Sequence, residues 1–416
     1  MAKTPYSQQK DARQQNVSAL LRDLWRHAPL SRAMLAQRND LTKATVSVIC
    51  DDLVAQDLIR AVGQDRTGIG RPSNLLEINP TARCVIGVEI STNYTAALLT
   101  DFCGKRLWER AILTRLNDTQ AEAQAQVEAL LREAMLQAQN LPLPLLGIGV
   151  GLPSQTTLAH LPSLGWADAS LKATWAARFG LPVLVENKAR VAALAEALHG
   201  SAQGVDNFVY VSMGTDVQAS VDAAVMMNGA LFRGANGLGV DAGHIILDPQ
   251  GPLCSCGQRG CWQAMTDVGR EVELMQQRLT AGEATLLQNA SGQQRLDHRA
   301  IHQAALQRDP LALDVVRQVL MNHVFGIANL VSLFDPQLVV ISHANVALPT
   351  EYQARMQALT AMPELDIVNG VSRQLASRGV TPPPIRLATC GATACMLGAA
   401  TLLVDEFLRN PPSGEA

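Results

Sequence analysis

The sequence lacks a long uncharged apolar segment. Its first ten residues, Met-Ala-Lys-Thr-Pro-Tyr-Ser-Gln-Gln-Lys, contain no apolar core, and no run of about 18 uncharged apolar residues follows. A secretory signal needs an apolar segment behind a basic start, and a membrane helix needs a still longer one. The sequence therefore predicts neither feature, and we expect a cytoplasmic protein without membrane contact.

Charged residues are also scarce, at 17% of 416 residues against 48% hydrophobic residues. A chain of this length and composition can bury a large core and divides into two or three domains. Its formal net charge of -3 is unevenly distributed. Residues 1–80 hold 11 Lys and Arg against 8 Asp and Glu, whereas residues 81–416 hold 23 against 29. The basic N-terminal part suggests an anionic partner.

Three of the eight cysteines fall within eight residues, at Cys254, Cys256 and Cys261, in a loop broken by glycine and proline. Such a loop allows thiolates to converge on one point, and His244 supplies an imidazole. Cys3His is a donor set that suits Zn2+, and four protein ligands leave no position for an activated water. The sequence therefore predicts a structural zinc site. The alternative is a disulfide with one thiol left over, which is rare in reduced cytosol.

The N-terminal residues have the pattern of a helix-turn-helix. Residues 14–28 carry apolar side chains at helical spacing, Ser31 caps a short segment at 32–37, and a second helix covers 41–53. Short polar and basic side chains near the start of that second helix are of the types that reach phosphates and base edges in the major groove. These candidates are Thr42, Lys43, Thr45 and Ser47.

A hairpin follows the second helix. Strands are predicted at 58–62 and 75–78, and the Gly-rich tip between them carries Arg66 and Arg71, which could lie along the DNA backbone or minor groove. The whole unit predicts a winged helix-turn-helix that ends at Asn79-Pro80. Three short helices with a hairpin also occur in protein-interaction modules, and this interpretation remains an alternative.

The rest of the chain alternates strands with helices, which is typical of layered α/β domains. The simplest architecture is two α/β lobes around a cleft. Predicted strands lie at 84–90, 95–101, 145–151, 208–212, 223–227 and, as the last one, 338–342, with helices at 118–139 and 322–334.

Short motifs complete the pattern: Gly-Arg-Pro at 70–72, Gly-Leu-Pro at 151–153, Leu-Gly-Trp at 164–166, Glu-Asn at 186–187, Gly-His at 243–244 and Gly-Ile-Ala-Asn-Leu-Val at 326–331. Together with the His-x9-Cys-x-Cys-x4-Cys spacing, they resemble the ROK family of sugar kinases and sugar-responsive repressors. The resemblance covers nearly the whole chain and implies an actin-like, two-lobed ATPase-type fold of the α/β class. It implies a winged helix-turn-helix domain at 1–80 and a ROK domain at 81–416, with lobes at 81–205 and 206–416 and the zinc loop at 244–261.

Three departures from the family's kinases predict that phosphotransfer is lost. The first phosphate turn, Asp-Ile-Gly-Gly-Thr in the kinases, is Glu-Ile-Ser-Thr-Asn at 89–93, without either glycine. The second phosphate loop, 214–220, keeps one glycine and gains Asp216. Lys188 stands where the kinases have their general-base Asp, and a protonated lysine cannot accept the sugar proton. We therefore expect no enzyme, and a kinase with atypical residues is the alternative.

The resemblance also implies the residues that bind an effector. Asp241 and Gln263 each stand where the family has Glu, and Lys188 adds a positive charge. One hypothesis is an anionic sugar derivative with Lys188 as its counter-ion. A neutral sugar bound in a modified way is another, and a third is that Lys188 pairs with Asp241 or Glu186 in a pocket that has lost its ligand. The implied effector residues are Asn187, Lys188, Asp241, His244 and Gln263.

The sequence thus predicts a transcriptional regulator of carbohydrate metabolism, most simply a repressor. Its partners would be a palindromic double-stranded operator and a small sugar or anionic sugar derivative. Two DNA-binding heads on one palindrome require a homodimer or homotetramer. A regulator that has lost its small-molecule effector and answers to a protein partner is the remaining alternative.

Overall fold

The computed structural model describes residues 5–65, 73–91, 94–113, 119–153, 170–213, 221–237, 239–289, 296–343 and 350–411. Three sheets organise these residues, one of three strands and two of five. The small sheet belongs to the N-terminal head, and each larger sheet forms the centre of one α/β lobe, as the sequence predicted.

The head contains a helix-turn-helix followed by a hairpin. The first helix starts earlier than predicted because its polar first turns carry no apolar periodicity. The Ser31 and Thr42 hydroxyls cap the next two helices by accepting hydrogen bonds from Met34 N and Thr45 N. The wing tip with Arg66 and Arg71 lies outside the described residues. The elements are α1 (Pro5–His27), β1 (Leu30–Ser31), α2 (Arg32–Arg38), α3 (Lys43–Ala55), β2 (Ile59–Asp65) and β3 (Ser73–Ile78).

The first lobe has the strand order β6-β5-β4-β7-β8, antiparallel on one side of β4 and parallel on the other. The two central strands of the antiparallel half are buried along their whole length. The sequence analysis missed β6, because this edge strand is largely exposed and has no clean alternation. The elements are β4 (Cys84–Ile90), β5 (Tyr94–Asp101), β6 (Arg106–Leu113), α4 (Gln120–Gln139), β7 (Leu145–Leu152), α5 (Leu171–Phe179), β8 (Val183–Asn187) and α6 (Lys188–His199).

The second lobe repeats this arrangement with the order β11-β10-β9-β12-β13. The prediction of 338–342 as the last strand was wrong, because a three-residue strand pairs parallel to it further on. The helix predicted at 322–334 begins instead at Pro310, where the Asp309 carboxylate accepts a hydrogen bond from Ala312 N. The elements are β9 (Phe208–Met213), β10 (Val221–Met227), β11 (Ala230–Leu231), α7 (Trp262–Met265), α8 (Val268–Thr280), α9 (His298–Leu306), α10 (Pro310–Phe334), β12 (Leu338–Ser342), α11 (Thr350–Thr360), α12 (Ile367–Ala376), β13 (Ile385–Leu387) and α13 (Ala394–Arg409).

Helices α6 and α13 cross in close contact between the lobes. A Cβ placed on Gly398 of α13 would lie 1.7 Å from the carbonyl oxygen of Val191 on α6. Glycine is therefore needed here for the close approach of two backbones. The crossing ties the C-terminal helix to the segment that follows Asn187.

The same C-terminal helix joins the N-terminal head, Pro5–Ile78, to the body, which consists of the two lobes. Leu20 and Leu24 of α1 share one buried apolar cluster with Leu403 and Leu408 of α13. At the predicted joint, the Asn79 amide donates a hydrogen bond to the Asp57 carbonyl, and the side chain is 3% exposed. The head therefore packs on the body through a shared core.

In the part of the chain that the structure describes, two helices are long and apolar enough to cross a membrane by length and composition, α10 and the segment Gly391–Arg409. Their most apolar windows are 61% and 56% buried within the structure. Both helices also contribute many side chains to the apolar clusters of the protein. Their hydrophobicity is therefore explained by burial in the core.

Candidate functional site

The four predicted metal ligands lie together. The donor atoms of His244, Cys254, Cys256 and Cys261 are all within 4.8 Å of one another. The Sγ atoms of Cys256 and Cys261 are 3.6 Å apart, and Cys254 Sγ lies 3.6 Å from His244 Nδ1. Thiolates bound at about 2.3 Å in a tetrahedron would be separated by about 3.8 Å. The spacing therefore fits a single tetrahedral metal ion.

The loop that carries these ligands is held at both ends. Ile246 and Cys261 form an isolated antiparallel bridge, and Leu253 and Arg259 form a second one. After the last cysteine, the Trp262 indole donates a hydrogen bond to Nδ1 of His323 in α10 at 3.3 Å. Burial lowers the pKa of His323 to about 3, so this imidazole is neutral and can accept that bond. The metal loop is thus anchored to the core of the second lobe.

Gln263 lies beside the same cluster. Its amide nitrogen is 3.5 Å from Cys254 Sγ and 3.3 Å from Ser255 Oγ. His244 Nε2 is buried and has no hydrogen-bond partner among the described residues. If Nδ1 ligates a metal, Nε2 carries the proton and becomes a donor. The imidazole can therefore bridge the metal cluster and a ligand oxygen.

The second cluster lies at the start of α6. The Asn187 side chain caps this helix by accepting hydrogen bonds from Ala189 N at 2.8 Å and Arg190 N at 3.1 Å. Its amide nitrogen donates to Asp222 Oδ2 at 3.1 Å. Asn187 therefore positions Lys188, the first residue of the helix, next to the start of β10.

Two buried carboxylates share the field of the Lys188 ammonium. Glu89, 6% exposed, accepts a hydrogen bond from the Tyr94 hydroxyl at 2.5 Å, and Asp222 is 5% exposed. Burial raises the pKa of Glu89 and raises the pKa of Asp222 to about 6, and Lys188 opposes both rises. Asp241 raises the pKa of Asp222 further. The charge of Lys188 thus acts on two buried carboxylates of the protein.

Glu186 has different partners from the one the sequence suggested. Arg190 donates to one of its carboxylate oxygens at 3.0 Å, and Arg233 donates to the other at 2.6 Å. Arg190, which is 7% exposed, also donates to the carbonyl oxygens of Gly237 and Gly239. This network fastens the segment after β11 to α6, and it occupies the Glu186 carboxylate that was considered as a counter-ion for Lys188.

The two clusters meet at the turn Ala242–His244. A Cβ on Gly243 would lie 2.3 Å from the carbonyl oxygen of Val221, so only glycine lets this turn rest on β10 beside Asp222. Asp241 and His244 flank that glycine. The structure therefore brings the predicted effector residues to one region, with Asn187, Lys188 and Asp241 near Asp222, and His244 and Gln263 near the thiols.

Sequence reasoning missed Asp222 and the Tyr94 hydroxyl. The available signal was an aspartate inside the apolar run Val-Asp-Ala-Ala-Val at 221–225, because an isolated carboxylate in a buried strand needs partners. Three of the predicted motifs lie wholly or partly outside the described residues. They are the phosphate loop 214–220, residues 92–93 of the first phosphate turn, and Leu-Gly-Trp at 164–166.

The predicted DNA-binding helix presents its candidates at the surface. Thr42 and Lys43 are exposed, and Thr45 and Ser47 are partly exposed. The hydroxyls of Thr42 and Thr45 lie 2.8 Å apart in a mutual hydrogen bond, so Thr42 acts first as the helix cap. Two ion pairs offset the charges of the acidic residues in this helix. They join Asp51 to Arg32 and Asp52 to Arg13.

Comparisons with known proteins agree with this architecture. The model of the ROK family matches residues 85–406. A provisionally named xylose repressor of Caldicellulosiruptor sp. (strain Rt8B.4) is 32% identical over 80% of this chain and 83% of its own. The xylose repressor of Bacillus subtilis (strain 168) is 26% identical over 94% of this chain and 96% of its own.

Among solved structures, a ROK family transcriptional regulator, described as a homologue of the E. coli MLC protein, superimposes with a TM-score of 0.75. It covers 96% of this chain and 97% of its own at 23% identity. At that identity the similarity shows the fold, and it includes the head as well as both lobes.

Proposed function

The chain belongs to the ROK family, and on this premise we propose that it is a sugar-responsive transcriptional repressor. The observation that carries this function is the exposed helix α3 in a head whose core is continuous with that of a two-lobed, sugar-kinase-like body. The DNA-binding head and the ligand-binding lobes then form one structural unit. Both relatives described above are named as xylose repressors over 80% or more of this chain.

The same site argues against phosphotransfer. A kinase needs a carboxylate free to take the proton of the sugar hydroxyl. Lys188 occupies that position, and its field falls on the buried carboxylates of Glu89 and Asp222. The protein is thus a regulator and not an enzyme.

The effector we propose is a small neutral sugar, and D-xylose is the first compound to test because of the names of the relatives. An anionic derivative would need Lys188 as its counter-ion, but two buried carboxylates already share that charge. Adding a phosphate beside them would bring like charges together in a region of low dielectric. Hydroxyl groups suit the donors and acceptors of Asn187, Asp241, His244 and Gln263.

The metal in the Cys3His cluster is proposed to be Zn2+, bound by His244, Cys254, Cys256 and Cys261. Its role is to fix the loop and the orientation of the His244 ring, leaving Nε2 to face the effector. With four protein ligands the metal has no open position for chemistry. Metal and effector are thus connected through one imidazole.

Helices α6 and α13 offer a route from the effector to the head. Lys188 begins α6, α6 crosses α13 at Gly398, and the far end of α13 shares its core with α1. A sugar that prefers one arrangement of the lobes would shift this helix pair and the two DNA-binding heads with it. The heads act on a palindromic operator, so we propose a homodimer or homotetramer in the cytoplasm.

DNA recognition can be tested with full-length protein and duplexes selected from a randomised pool. We expect an enriched palindrome and a binding constant that falls steeply with salt. Lys43→Ala should weaken binding to all duplexes alike and reduce the salt slope by about one. Lys105→Ala, an exposed lysine on the body, is the matched control and should bind as the wild type. Retention without sequence enrichment would overturn operator recognition.

The effector can be identified by adding D-xylose, a sugar phosphate or a sugar acid to the protein and its selected duplex. Release of the DNA by the neutral sugar supports the proposal. Release only by the anionic compounds would instead support the counter-ion hypothesis for Lys188, and no release would favour a regulator without a small-molecule effector. Turnover of ATP with any of these sugars would contradict the assignment as a regulator.

A further inference from the structure

Helix α3 has an apolar side chain where a DNA-binding helix meets the bases. Its inner face is formed by the buried residues Val46, Ile49, Cys50 and Leu53. At 100° per residue, the opposite face is the stripe of Ala44, Val48 and Asp51, spaced i, i+4 and i+7. All three are exposed, and Val48 is 59% exposed.

A single exposed valine on a protein surface needs no explanation. Val48 differs because of its position: it is on the outermost line of the helix, within its first two turns, where base-edge contacts of such helices concentrate. Polar groups lie on both sides of this line, Lys43 and Ser47 on one and Thr45 on the other, and they can reach phosphates. The helix therefore presents an apolar centre with a polar border.

The acidic residue on this stripe does not make the surface repel DNA. Asp51 is paired with Arg32 of α2, and the adjacent Asp52 is paired with Arg13 of α1. Both arginines are themselves partly exposed next to α3. Their charges offset the two carboxylates and let the face approach a polyanion.

We propose that Val48, together with Ala44, reads thymine methyl groups in the major groove of the operator. This inference rests on the proposed function and specifies the partner by chemistry: a half-site with a thymine at the position facing the second turn of α3. The thymine C5-methyl is the one apolar group that the major groove displays, and apolar side chains are its partners. The side chains of Ala44 and Val48 have no hydrogen-bonding group, so they cannot pair with the donors and acceptors on the base edges.

Deoxyuridine tests the proposal, because it differs from thymine only by that methyl group. The probe is the duplex that full-length protein selects from a randomised pool, with the thymines of one half-site replaced one at a time. For the wild type, we expect one or two replacements to weaken binding about fourfold each, the effect of one buried methyl group. In Val48→Ala those replacements should have no more than a small effect, whereas Val48→Ile should keep the sensitivity.

Val54→Ala is the matched control. Val54 is an exposed valine of the same helix, at 45%, but it lies off the outer stripe and more than a turn further along. This variant should retain the full difference between thymine and deoxyuridine. Thermal unfolding of each variant checks that the head is intact.

A selected duplex that shows no deoxyuridine effect with wild type, or the same effect with Val48→Ala, would overturn this inference and leave operator recognition standing. If the pool yields no enriched sequence, the proposed function fails and the inference fails with it. The two failures are therefore distinguishable.

Discussion

The thiol cluster and the Lys188 cluster lie on either side of the turn Ala242–His244, and they balance buried charge in different ways. The thiol cluster gathers donors from within 18 residues of chain, and as thiolates they require a cation from outside the protein. The Lys188 cluster takes Glu89, Asp222 and Lys188 from three separate strands and helices, and its cation is part of the chain. We therefore propose that a metal completes the first cluster, whereas the cation of the second belongs to the chain itself.

This difference explains how a kinase-like site can become a sensor. A catalytic carboxylate must keep a free lone pair for the substrate proton. A protonated lysine at position 188 has no such lone pair, and its charge acts on the buried carboxylates of Glu89 and Asp222. The turn that carries His244 lies beside this cluster, and we propose that a sugar is recognised there by hydrogen bonds.

The largest effect is expected from Cys256→Ser, which opens the thiol cluster. With one ligand removed, we expect most of the bound zinc to be lost and the free energy of unfolding to fall by on the order of 4 kcal/mol or more. Metal content per protomer and urea unfolding measure both quantities. Cys103→Ser, a half-buried thiol far from the cluster in sequence, should keep its metal. Equal metal content in the two variants would contradict the Cys3His site.

A smaller effect is expected from Lys188→Met, which removes the internal cation at nearly constant length. Glu89 and Asp222 would then keep their hydrogen bonds but lose the nearby positive charge, and we expect a loss of about 3 kcal/mol at pH 8. Lys172→Met, at an exposed lysine of α5, is the control and should change stability by less than about 0.5 kcal/mol. Zinc content should be normal in both. Unchanged stability of Lys188→Met would show that the cluster does not depend on this charge.

The smallest effect concerns pH. Asp222 has a pKa of about 6 in the folded protein, above the ordinary value of 3.8, because burial disfavours its charge. Its contribution to stability is therefore fully present below pH 3.8 and is lost as the pH rises through 6. The wild type should lose between about 1 and 3 kcal/mol from this group between pH 4 and pH 7.

Asp222→Asn should flatten that part of the pH profile, whatever its stability at a single pH. Urea unfolding at pH 4.5, 5.5 and 7 provides the comparison. Asp51→Asn, at an exposed carboxylate of α3, should keep the slope of the wild type. Parallel profiles for Asp222→Asn and the wild type would mean that Asp222 ionises without penalty.

The same contrast explains which parts were predictable. The grouping of the three thiols follows from their spacing, because a glycine-rich loop lets thiols within eight residues of chain approach one another. The helix-turn-helix follows from apolar periodicity, and the apolar positions Val46, Ile49 and Leu53 of α3 are buried. The edge strand β6 and the short strand β13 carry no such periodicity, and both were missed.

By itself the sequence determined the family and the two-lobed α/β class, and it predicted four metal ligands and the loss of the catalytic base, because each of these depends on residue types at fixed local spacing. The tertiary structure alone decided the partners of Lys188 and the union of head and body. Glu89 and Asp222 lie 99 residues before and 34 residues after Lys188, counted from their sequence numbers. Their charges come together because β10 packs against α6, while α13 packs against both α6 and β4. Likewise, α1 and α13 are far apart in the sequence but share one core. That core arises from burial of apolar surface, which does not depend on how far apart two residues are along the chain.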